Sequence, residues 1–550
     1  MAVKAHYLVL EADGKQRYIF NSNKLRENVG ASQIVHEVGT EFVRLAVEEL
    51  NPDLAKAKHF DRAIGDAALN PPLEASSSPG IEVVVASSGK AEFLVKERAV
   101  AKALVADITL RALRSAPGLL VKGGISQPFE MEGRGVEQAV REAYRRMEEA
   151  NAQYGFRFLR LPVVAECAYS GLPAAHVERL EGGAVTLLSN ESLAKETKAE
   201  VGRARLGGLF PQGWHGAKDL NDIDRMLEDK RWVALVHADG NGLGQVFINF
   251  GDSAWRGRSP SARVYVDKLR RFSMALDECT KEAFRKAVEG AFSAGQVPLI
   301  PLVVAGDDLT VLCSGSKALH FTEAFLEEFE KATSSNEVIR GLLQRPIGIC
   351  AGVAVFKPHY PFFNGYQLAE ALLKNAKQVK NRVGQGREGG QELGLRCCAF
   401  DFHVLHDTVH MDLDGIRRKL TVDETTHLYS RPYLTSSFDE DGQSNWYSWY
   451  NKRRWQNLQG KINALTAKDE DGRHRLPSSQ MHALREALSM GSTTADHLLT
   501  QVFPLYKDHG LKELVESEGP PSIFWEEEDQ KKYTYFLDAM EVADLQGGPG

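Results

Sequence analysis

The chain has 550 residues, with 67 Lys and Arg against 74 Asp and Glu, a formal net charge of −7, and 43% hydrophobic residues. At roughly 150 residues per domain, this length predicts three or four packed units and excludes a single small domain. The acidic balance argues against a protein whose whole surface binds duplex DNA, but it leaves room for a local basic groove.

The six cysteines form no CxxC pair, and four of them lie in apolar runs, which is typical of reduced thiols in a protein core. The opening MAVKAHYLVLEADG lacks the apolar core of a signal peptide. No stretch approaches the roughly 18 apolar residues of a membrane span. We therefore expect a cytoplasmic protein that does not enter the membrane.

The first half of the chain alternates strand and helix patterns around one apolar hairpin, IEVVVASSGKAEFLV. A Pro- and Ser-rich segment, NPPLEASSSPG, predicts an exposed loop before it. The other predicted elements are a strand at His6 to Leu10, a helix from about Ile34, a helix from Lys96 to Arg114, and strands at Leu119 to Val121 and Leu161 to Val164.

The second half repeats this order, beginning with the strand and Gly-rich turn RWVALVHADGNGLG. A second hairpin, LIPLVVAGDDLTVLC, matches the first, so the chain is predicted to hold a pseudo-dimer of ferredoxin-like β-α-β-β-α-β units. Similar composition alone is the alternative reading of the two hairpins. The remaining elements are helices at 262–288, 317–333 and 366–380, strands in IGICAGVAVF and CCAFDFHV, and a mostly helical unit after Leu405.

Glycine and two adjacent carboxylates make the turn of the second hairpin. Gly306, Asp307 and Asp308 stand between apolar runs at 299–304 and 309–312. Consecutive side chains at such a turn reach the same cation, and Mg²⁺ prefers oxygen ligands and substrate phosphates. The alternative is that Asp-Asp only forms the turn, since Asp is a common turn residue.

A third carboxylate, Asp239, follows the strand that is expected to neighbour this hairpin. Asp239, Asp307 and Asp308 are therefore predicted as catalytic, metal-binding residues. Two metal ions held there would activate a 3′-hydroxyl and stabilise the α-phosphate and the departing pyrophosphate. The glycines after Asp239 open a helix, which favours a phosphate cradle, although a turn needing positive φ explains them equally well.

A basic helix, AEALLKNAKQVKNRVGQGR, carries Lys374, Lys377 and Lys380 at intervals of three. Lys377 leans towards a partly apolar face, so we expect it to hold a triphosphate. A solvated basic face is the preferred explanation for Lys374 and Lys380. The residues predicted to bind nucleotide are Gly240, Asn241, Gly242, Gly244, Gly306, Lys377, Ser87, Ser88 and Gly89.

Over most of its length the sequence resembles the large polymerase/cyclase subunit of type III CRISPR effector complexes. The family's GGDD signature is similar to residues 305–308, and its Asp-Gly is similar to Asp239-Gly240. Other similar segments are QRYIFNSNKLRENVGAS, CAYSGLPAAH, SNESLAKETKAEVGRARL, AEALLKNAKQVK, CCAFDFHV and RPYLTSSF.

The resemblance implies an α+β fold with two ferredoxin-like palm domains of the GGDEF and nucleotide-cyclase type, and a C-terminal helical domain. We expect a first palm over 1–165, a linker region over 166–228, a second palm over 229–405 and the helical domain over 406–550. The second palm would convert ATP, with two Mg²⁺ or Mn²⁺ ions, into a cyclic oligoadenylate messenger of antiviral defence. Effector subunits and guide or target RNA are the implied partners.

The sequence departs from the family pattern at several points. An N-terminal HD nuclease is not expected, because the only His-Asp dipeptide, His406-Asp407, lies outside that context. Only Cys167 stands where the family clusters zinc ligands, so no structural zinc is predicted. Ser87-Ser88-Gly89 replaces the GDD in the first palm, which predicts an acceptor pocket without metal. Ala305 replaces the first Gly of GGDD, a mild change.

Aromatic residues crowd around Lys452, Arg453 and Arg454 in the helical tail: Trp446, Tyr447, Trp449, Tyr450 and Trp455. They are able to stack on RNA bases, but core packing and a protein interface are the alternatives.

The leading functional hypothesis is a metal-dependent nucleotidyltransferase that makes a cyclic or short oligonucleotide. A non-catalytic palm scaffold within a CRISPR-like ribonucleoprotein is the second hypothesis. The third, a templated polymerase, is disfavoured by the acidic balance and the lack of a basic finger region.

Overall fold

The computed structural model describes residues 3–151, 163–179, 183–226, 232–383, 394–406, 412–438, 445–516, 519–527 and 529–546. The side chains of residues 150, 151 and 445 are outside this description. Mixed helices and sheets confirm the predicted α+β class.

The first half folds around one sheet with strand order β2-β3-β1-β4, and β5 pairs with the end of β1. Strand β2 is buried on both faces except at its last residue, as its unbroken apolar run predicts. The elements are β1 (Lys4–Asp13), α1 (Lys15–Phe20), α2 (Leu25–Gly39), α3 (Glu41–Ala46), α4 (Pro52–Ala55), α5 (Phe60–Ala63), β2 (Ile81–Ser87), β3 (Lys90–Val95), α6 (Arg98–Ser115), β4 (Leu120–Ile125), β5 (Phe129–Glu130) and α7 (Gly135–Asn151).

A short middle region follows, in which β6 and β7 form a separate hairpin. The strand expected at Leu161 to Val164 is wrong for Val163 and Val164, which lie in a turn where Val163 is 91% exposed, while residues 161 and 162 lie outside the described chain. The elements are β6 (His176–Arg179), β7 (Val185–Leu188), α8 (Asn190–Gly207), β8 (His215–Gly216) and α9 (Leu220–Met226).

The second half builds a larger sheet with strand order β11-β12-β9-β13-β14-β17. Its elements before the tail are β9 (Val233–Gly240), α10 (Leu243–Ile248), α11 (Phe250–Ala254), α12 (Ala262–Ala291), β10 (Gln296–Val297), β11 (Leu299–Ala305), β12 (Asp308–Ser314), α13 (Gly315–Ser335), α14 (Glu337–Leu343), β13 (Ile349–Phe356), α15 (Phe362–Arg382) and β14 (Ala399–Val404).

The tail is mostly helical, but it adds β17 to the second sheet and forms a small four-stranded sheet of its own. Two short 3₁₀ helices, Lys507–His509 and Lys512–Leu514, lie near its end. The other elements are α16 (Leu413–Lys419), β15 (Thr421–Val422), β16 (Thr426–His427), β17 (Tyr433–Leu434), α17 (Asn445–Lys452), α18 (Trp455–Thr466), α19 (Ser478–Leu488), α20 (Ser492–Tyr506), β18 (Trp525–Glu526), β19 (Lys532–Tyr533) and α21 (Phe536–Leu545).

The two sheets share one topology. In each half, the four strands of the predicted β-α-β-β-α-β unit lie in the same spatial order, with the first strand between the third and the fourth. The two hairpins also break register at the same place, between Val83 and Val85 in one and between Pro301 and Val303 in the other. The predicted pair of ferredoxin-like palms is thereby confirmed.

An ion-pair cluster joins the two palms. Glu82 of β2 is completely buried, and it accepts hydrogen bonds from Arg263 and Arg270 of α12. The guanidinium of Arg263 also bonds Glu74 in the loop before β2. Because a buried carboxylate is costly without such partners, the cluster fixes α12 against the first palm.

All six cysteines are free and buried, as predicted for core thiols. Among the described residues, no helix is long and apolar enough to cross a membrane.

Candidate active site between the palms

The turn of the second hairpin has the conformation that its sequence predicts. Ala305 pairs with Asp308 across the end of the hairpin, and Gly306 and Asp307 make the two-residue turn. Gly306 has φ +63, a value that glycine adopts without strain. Both aspartates remain partly exposed at the tip.

Helix α12 fixes this turn by hydrogen bonds to both backbone polar groups of Gly306. The backbone N–H of Gly306 donates to Asp277 Oδ1 at 3.1 Å. Thr280 donates its hydroxyl hydrogen to the Gly306 carbonyl oxygen, and Lys281 forms an ion pair with Asp277. The position of the two catalytic-candidate carboxylates is therefore set by a helix of the same palm.

Strand β9 brings Asp239 beside the turn. Ala238 pairs with Leu309, so Asp239, one residue further along, lies next to Asp308 in the sheet. Gly240 packs directly against Asp307: a Cβ atom there would lie 2.8 Å from Asp307 Oδ2. A glycine is consequently required for the close approach of the strand to the carboxylate.

The aspartate pair is electrostatically unfavourable as it stands. Burial, followed by the charge of Asp307, raises the pKa of Asp308 to about 7. Burial also raises the pKa of Asp307, although backbone N–H groups and the ammonium groups of Lys15 and Lys90 oppose the rise. Two adjacent carboxyls with raised pKa values are a common sign of a functional site, because a bound cation would remove the repulsion.

Asp239 is paired with a lysine of helix α15, and its predicted role in holding metal stays a prediction. Its carboxylate forms an ion pair with Lys377 of α15, whose ammonium group also donates to the Gly240 carbonyl oxygen at 3.1 Å. Burial, with a smaller effect of Lys380, lowers the pKa of Lys377 to about 8. Within the described residues, no group of three or more His, Cys, Asp or Glu is arranged to hold a metal ion.

The glycine-rich turn after Asp239 has mainly structural contacts. Gly242 has φ +70 and precedes α10, a short helix of six residues. Asn241 is buried and donates its side-chain amide to the Cys397 carbonyl oxygen at 2.7 Å. A Cβ on Gly244 would meet open space. Their predicted role in binding triphosphate stays a prediction.

A cavity of about 880 Å³ lies between the two palms and contains the aspartate pair. Both hairpin tips line it, the first through Ser87 and Ser88 and the second through Gly306, Asp307 and Asp308. We call it the front cavity. Its volume lies within the roughly 300–1,000 Å³ of ligand pockets. Ser87 and Ser88 were predicted for this pocket, whereas Gly89, Gly240, Asn241, Gly242, Gly244 and Lys377 are not among the residues that line it.

Two lysines of the first palm, Lys15 and Lys90, line the front cavity together with the aspartates and were missed by the sequence analysis. The pairing of the sheets shows why Lys90 matters. Ser87 pairs with Lys90 at the end of the first hairpin, as Ala305 pairs with Asp308 in the second. Lys90 thus occupies the position of Asp308. Writing the hairpins SSGK and AGDD one above the other would have revealed it.

The ammonium group of Lys90 is held in a buried polar network. It lies 2.8 Å from a carboxylate oxygen of Glu92, which also accepts hydrogen bonds from the hydroxyls of Tyr7 and Tyr144. Burial lowers the pKa of Lys90, but Glu92 and Tyr144 outweigh it and raise that pKa above its usual value. Lys90 is therefore a permanent positive charge at the wall of the front cavity.

The aromatic residues of the tail prove to be core. Trp446, Trp449, Tyr450 and Trp455 are each less than 9% exposed. Trp455 packs on Phe400 of the palm sheet with ring centroids 4.8 Å apart. Packing of the tail on the second palm explains this cluster without RNA.

The second half of the chain is similar to a known protein family. Residues 232–384 match the family model of Cas10/Cmr2, second palm domain. This segment is similar to the second palm domain of Cas10/Cmr2. The resemblance to the large subunit of type III CRISPR complexes is thereby confirmed for the part of the chain that carries the aspartate turn.

Solved structures share the fold over nearly all of the chain. The crystal structure of Csm1 in T. onnurineus matches with a TM-score of 0.53 and 12% identity, over 99% of this chain and 70% of that one. A Csm1-Csm4 cassette in complex with pppApA matches with a TM-score of 0.51 and 13% identity, over the same shares. No curated protein matches the sequence.

Proposed function

We propose that this Cas10-like chain is a metal-dependent nucleotidyltransferase that joins ATP into a cyclic or short oligoadenylate signal in antiviral defence. The observation that carries the proposal is the partly exposed pair Asp307 and Asp308, which lines the front cavity together with Lys15 and Lys90. A cavity that holds both carboxylates for a metal ion and lysines for phosphates suits two triphosphates that must meet for transfer.

The aspartate pair fits a divalent cation by its chemistry. Both side chains offer carboxylate oxygens, which Mg²⁺ and Mn²⁺ prefer, and their raised pKa values show that negative charge there lacks a full counter-charge. Asp307 and Asp308 would hold the ion, with Asp239 beside them once its bond to Lys377 is released. A bound ion would stabilise negative charge on the reacting phosphate.

The remaining roles fall to groups of the chain itself. Asp277 and Thr280 hold the turn and so orient the two aspartates. Four residues of the first palm that line the front cavity would bind the phosphates of the acceptor nucleotide: Lys15, Lys90, Ser87 and Ser88. The phosphates would share the two ammonium groups with their present partners, Glu11 and Glu92. The first palm then needs no metal, because Lys90 stands where the second palm has Asp308.

The relatives suggest a partner. Csm1 was crystallised in a cassette with Csm4 and the adenylate pppApA. We extend both to this chain: a Csm4-like subunit as partner and adenine nucleotides as substrate. Guide and target RNA would then act through the assembled complex.

The test is product formation by the full chain with Mg²⁺ or Mn²⁺ and each nucleoside triphosphate, resolved by mass spectrometry. We expect an oligoadenylate from ATP, and none from the double variant Asp307→Asn/Asp308→Asn. Asp252→Asn, an exposed carboxylate of the same palm outside the front cavity, is the matched control and should leave the product unchanged.

One observation favours a second function, a palm scaffold without catalysis: the Asp239 carboxylate is already paired with Lys377. A scaffold would yield no product with any nucleotide, even after its effector partners and RNA are added. It would still bind those partners, and Asp307→Asn/Asp308→Asn would not change their affinity.

A further inference from the structure

A second, smaller cavity of about 190 Å³ is lined by residues of both hairpins, among them Ser87, Ser88 and Ala305. We call it the rear cavity. It shares Ser87, Ser88, Asp277 and Ala305 with the front cavity, so the two spaces are neighbours. Helices α2, α8 and α12 close it with His36, Arg205 and Lys281.

Most charges around the rear cavity are already matched. Lys281 is paired with Asp277, and Arg62 lies 3.9 Å from Glu278. Arg270 is bound to Glu82 of the interpalm cluster. These contacts neutralise two of the three acidic residues of the lining, the third being Asp61.

Arg205 differs from these charged residues in the partners of its guanidinium group. It is partly buried, and its two hydrogen bonds go to uncharged groups, Gln33 Oε1 at 2.7 Å and Ser32 Oγ at 3.4 Å. Among the described residues no carboxylate forms an ion pair with it. Burial lowers the pKa of Arg205 to about 10, although the charges of Asp277 and Glu37 oppose the fall, so the guanidinium is charged at neutral pH without a directly bonded carboxylate among the described residues.

His36 completes the set as an uncharged donor. Burial, with the charges of Arg205 and Lys281, lowers its pKa to about 3, and the ring is therefore neutral at physiological pH. A neutral imidazole donates one hydrogen bond, and the hydroxyls of Ser87 and Ser88, which also line the cavity, add further donors, whereas the Thr40 hydroxyl already donates to the His36 carbonyl oxygen.

We propose that the rear cavity is a binding site for a small phosphate anion, with Arg205 as its principal ligand. The volume is below the roughly 300 Å³ at which pockets for drug-sized ligands begin, so it suits inorganic phosphate or pyrophosphate and excludes a nucleoside triphosphate. Pyrophosphate is the natural candidate, a point that rests on the proposed function, because the reaction would release it into the neighbouring front cavity.

The test measures pyrophosphate and, separately, inorganic phosphate binding to the full chain by titration calorimetry in EDTA, which excludes binding through metal. We expect Arg205→Gln to weaken binding at least about tenfold, since a hydrogen bond to a charged group is worth roughly 1.5–3 kcal/mol. Arg203→Gln is the matched control: it lies on the same helix, is bonded to Glu200 and is absent from the lining. It should bind as the unaltered chain does.

Two further variants separate this site from the front cavity. The component of binding that Arg205→Gln weakens should persist in Lys15→Gln and in Asp307→Asn/Asp308→Asn, which distinguishes failure of this site from failure of the proposed reaction. If Arg205→Gln does not fold, Arg205→Lys replaces it and should also weaken binding, because lysine lacks the forked guanidinium. Tighter binding of pyrophosphate than of phosphate would identify the leaving group as the ligand, and the reverse order would identify phosphate.

The proposal is overturned if the unaltered chain binds neither anion. It is also overturned if Arg205→Gln and Arg205→Lys bind as tightly as the unaltered chain, or if Lys15→Gln abolishes binding, because the anion would then occupy the front cavity.

Discussion

At the scale of single residues, the site is built from charges that are unfavourable for stability. Asp307 and Asp308 were recognisable in the sequence because two acids rarely interrupt an apolar hairpin without purpose. Lys90 was not recognisable, because a lysine after Ser-Ser-Gly belongs to no functional motif. Its equivalence to Asp308 becomes clear only from the strand register of the two hairpins. Partners of a charge, such as Lys377 for Asp239, likewise depend on tertiary packing.

The raised pKa of Asp308 predicts a stability that falls as pH rises. The folded state holds the proton up to about pH 7, whereas the unfolded chain loses it near the ordinary value of 3.8. The free energy of unfolding therefore falls as pH rises between these two values, and the full penalty is present above about pH 7. Asp308→Asn should therefore raise the Tm at pH 8 in EDTA by a few degrees, since about 1 kcal/mol is worth about 2–4 °C at this domain size.

At pH 3 to 4 the same substitution should have little effect on the Tm, and Asp252→Asn should have none at either pH. Differential scanning calorimetry at the two pH values checks this. A lower Tm of Asp308→Asn at pH 8 would show that the carboxylate is stabilising, contrary to the account.

Lys377 should matter more than its neighbours on α15. Its ammonium group pairs with Asp239, and both side chains are less than one third exposed. Once a metal ion releases Asp239 from this pair, Lys377 would be free to bind the triphosphate, and Lys377→Met removes that cation. We expect kcat/KM for ATP to fall about tenfold or more. Lys374→Met is the control, because Lys374 is 70% exposed and its ion pair within the described part of the chain is with Glu370. Equal values for the two variants would contradict a role of Lys377.

At the scale of elements, the sequence predicted the long strands and helices of the second palm, because apolar runs and helical periodicity agree there with the tertiary fold. The short elements α11, β10 and α14 were not predicted. The strand at Leu161 to Val164 failed at its described residues because a short apolar run carries no information about a pairing partner. The contact of α12 with the aspartate turn also could not be predicted from the sequence, since Asp277 and Gly306 are 29 positions apart.

Thr280 tests whether α12 positions the turn. Thr280→Val keeps the shape but removes the hydroxyl that bonds the Gly306 carbonyl oxygen, a loss of about 1 kcal/mol. We expect product formation to fall several-fold with little change in KM, because the turn shifts while the cavity remains. Thr322→Val is the matched control for Thr280→Val. Thr322 is also fully buried, but its hydroxyl donates to the carbonyl oxygen of Ala318 within its own helix.

Circular dichroism and melting curves of both threonine variants would separate positioning from folding. An unchanged kcat in Thr280→Val, or the same loss in Thr322→Val, would refute the positioning role.

At the scale of the whole molecule, the chain is a pair of palms with one acidic and one basic hairpin tip. The repeat was visible in the sequence as two similar hairpins, and the common strand order confirms it. The way the palms meet was not visible, because it depends on Glu82 inside an apolar strand and on arginines nearly two hundred residues away.

Breaking the interpalm cluster should destabilise the whole protein. Glu82→Gln leaves Arg263 and Arg270 without their buried partner, and breaking a buried ion pair typically costs about 3–5 kcal/mol. Glu74→Gln removes a more exposed carboxylate bonded to the same Arg263 and should cost about 1 kcal/mol or less. Urea unfolding of both variants makes the comparison. Equal losses would show that the cluster does not join the palms.

The central claim is that the aspartate turn in the front cavity performs nucleotidyl transfer, and pyrophosphate release from ATP tests it most directly. The account predicts that the full chain, with Mg²⁺ or Mn²⁺ and any partners that copurify with it, releases pyrophosphate and that Asp307→Asn/Asp308→Asn does not. Equal release by the unaltered chain and the double variant would contradict it.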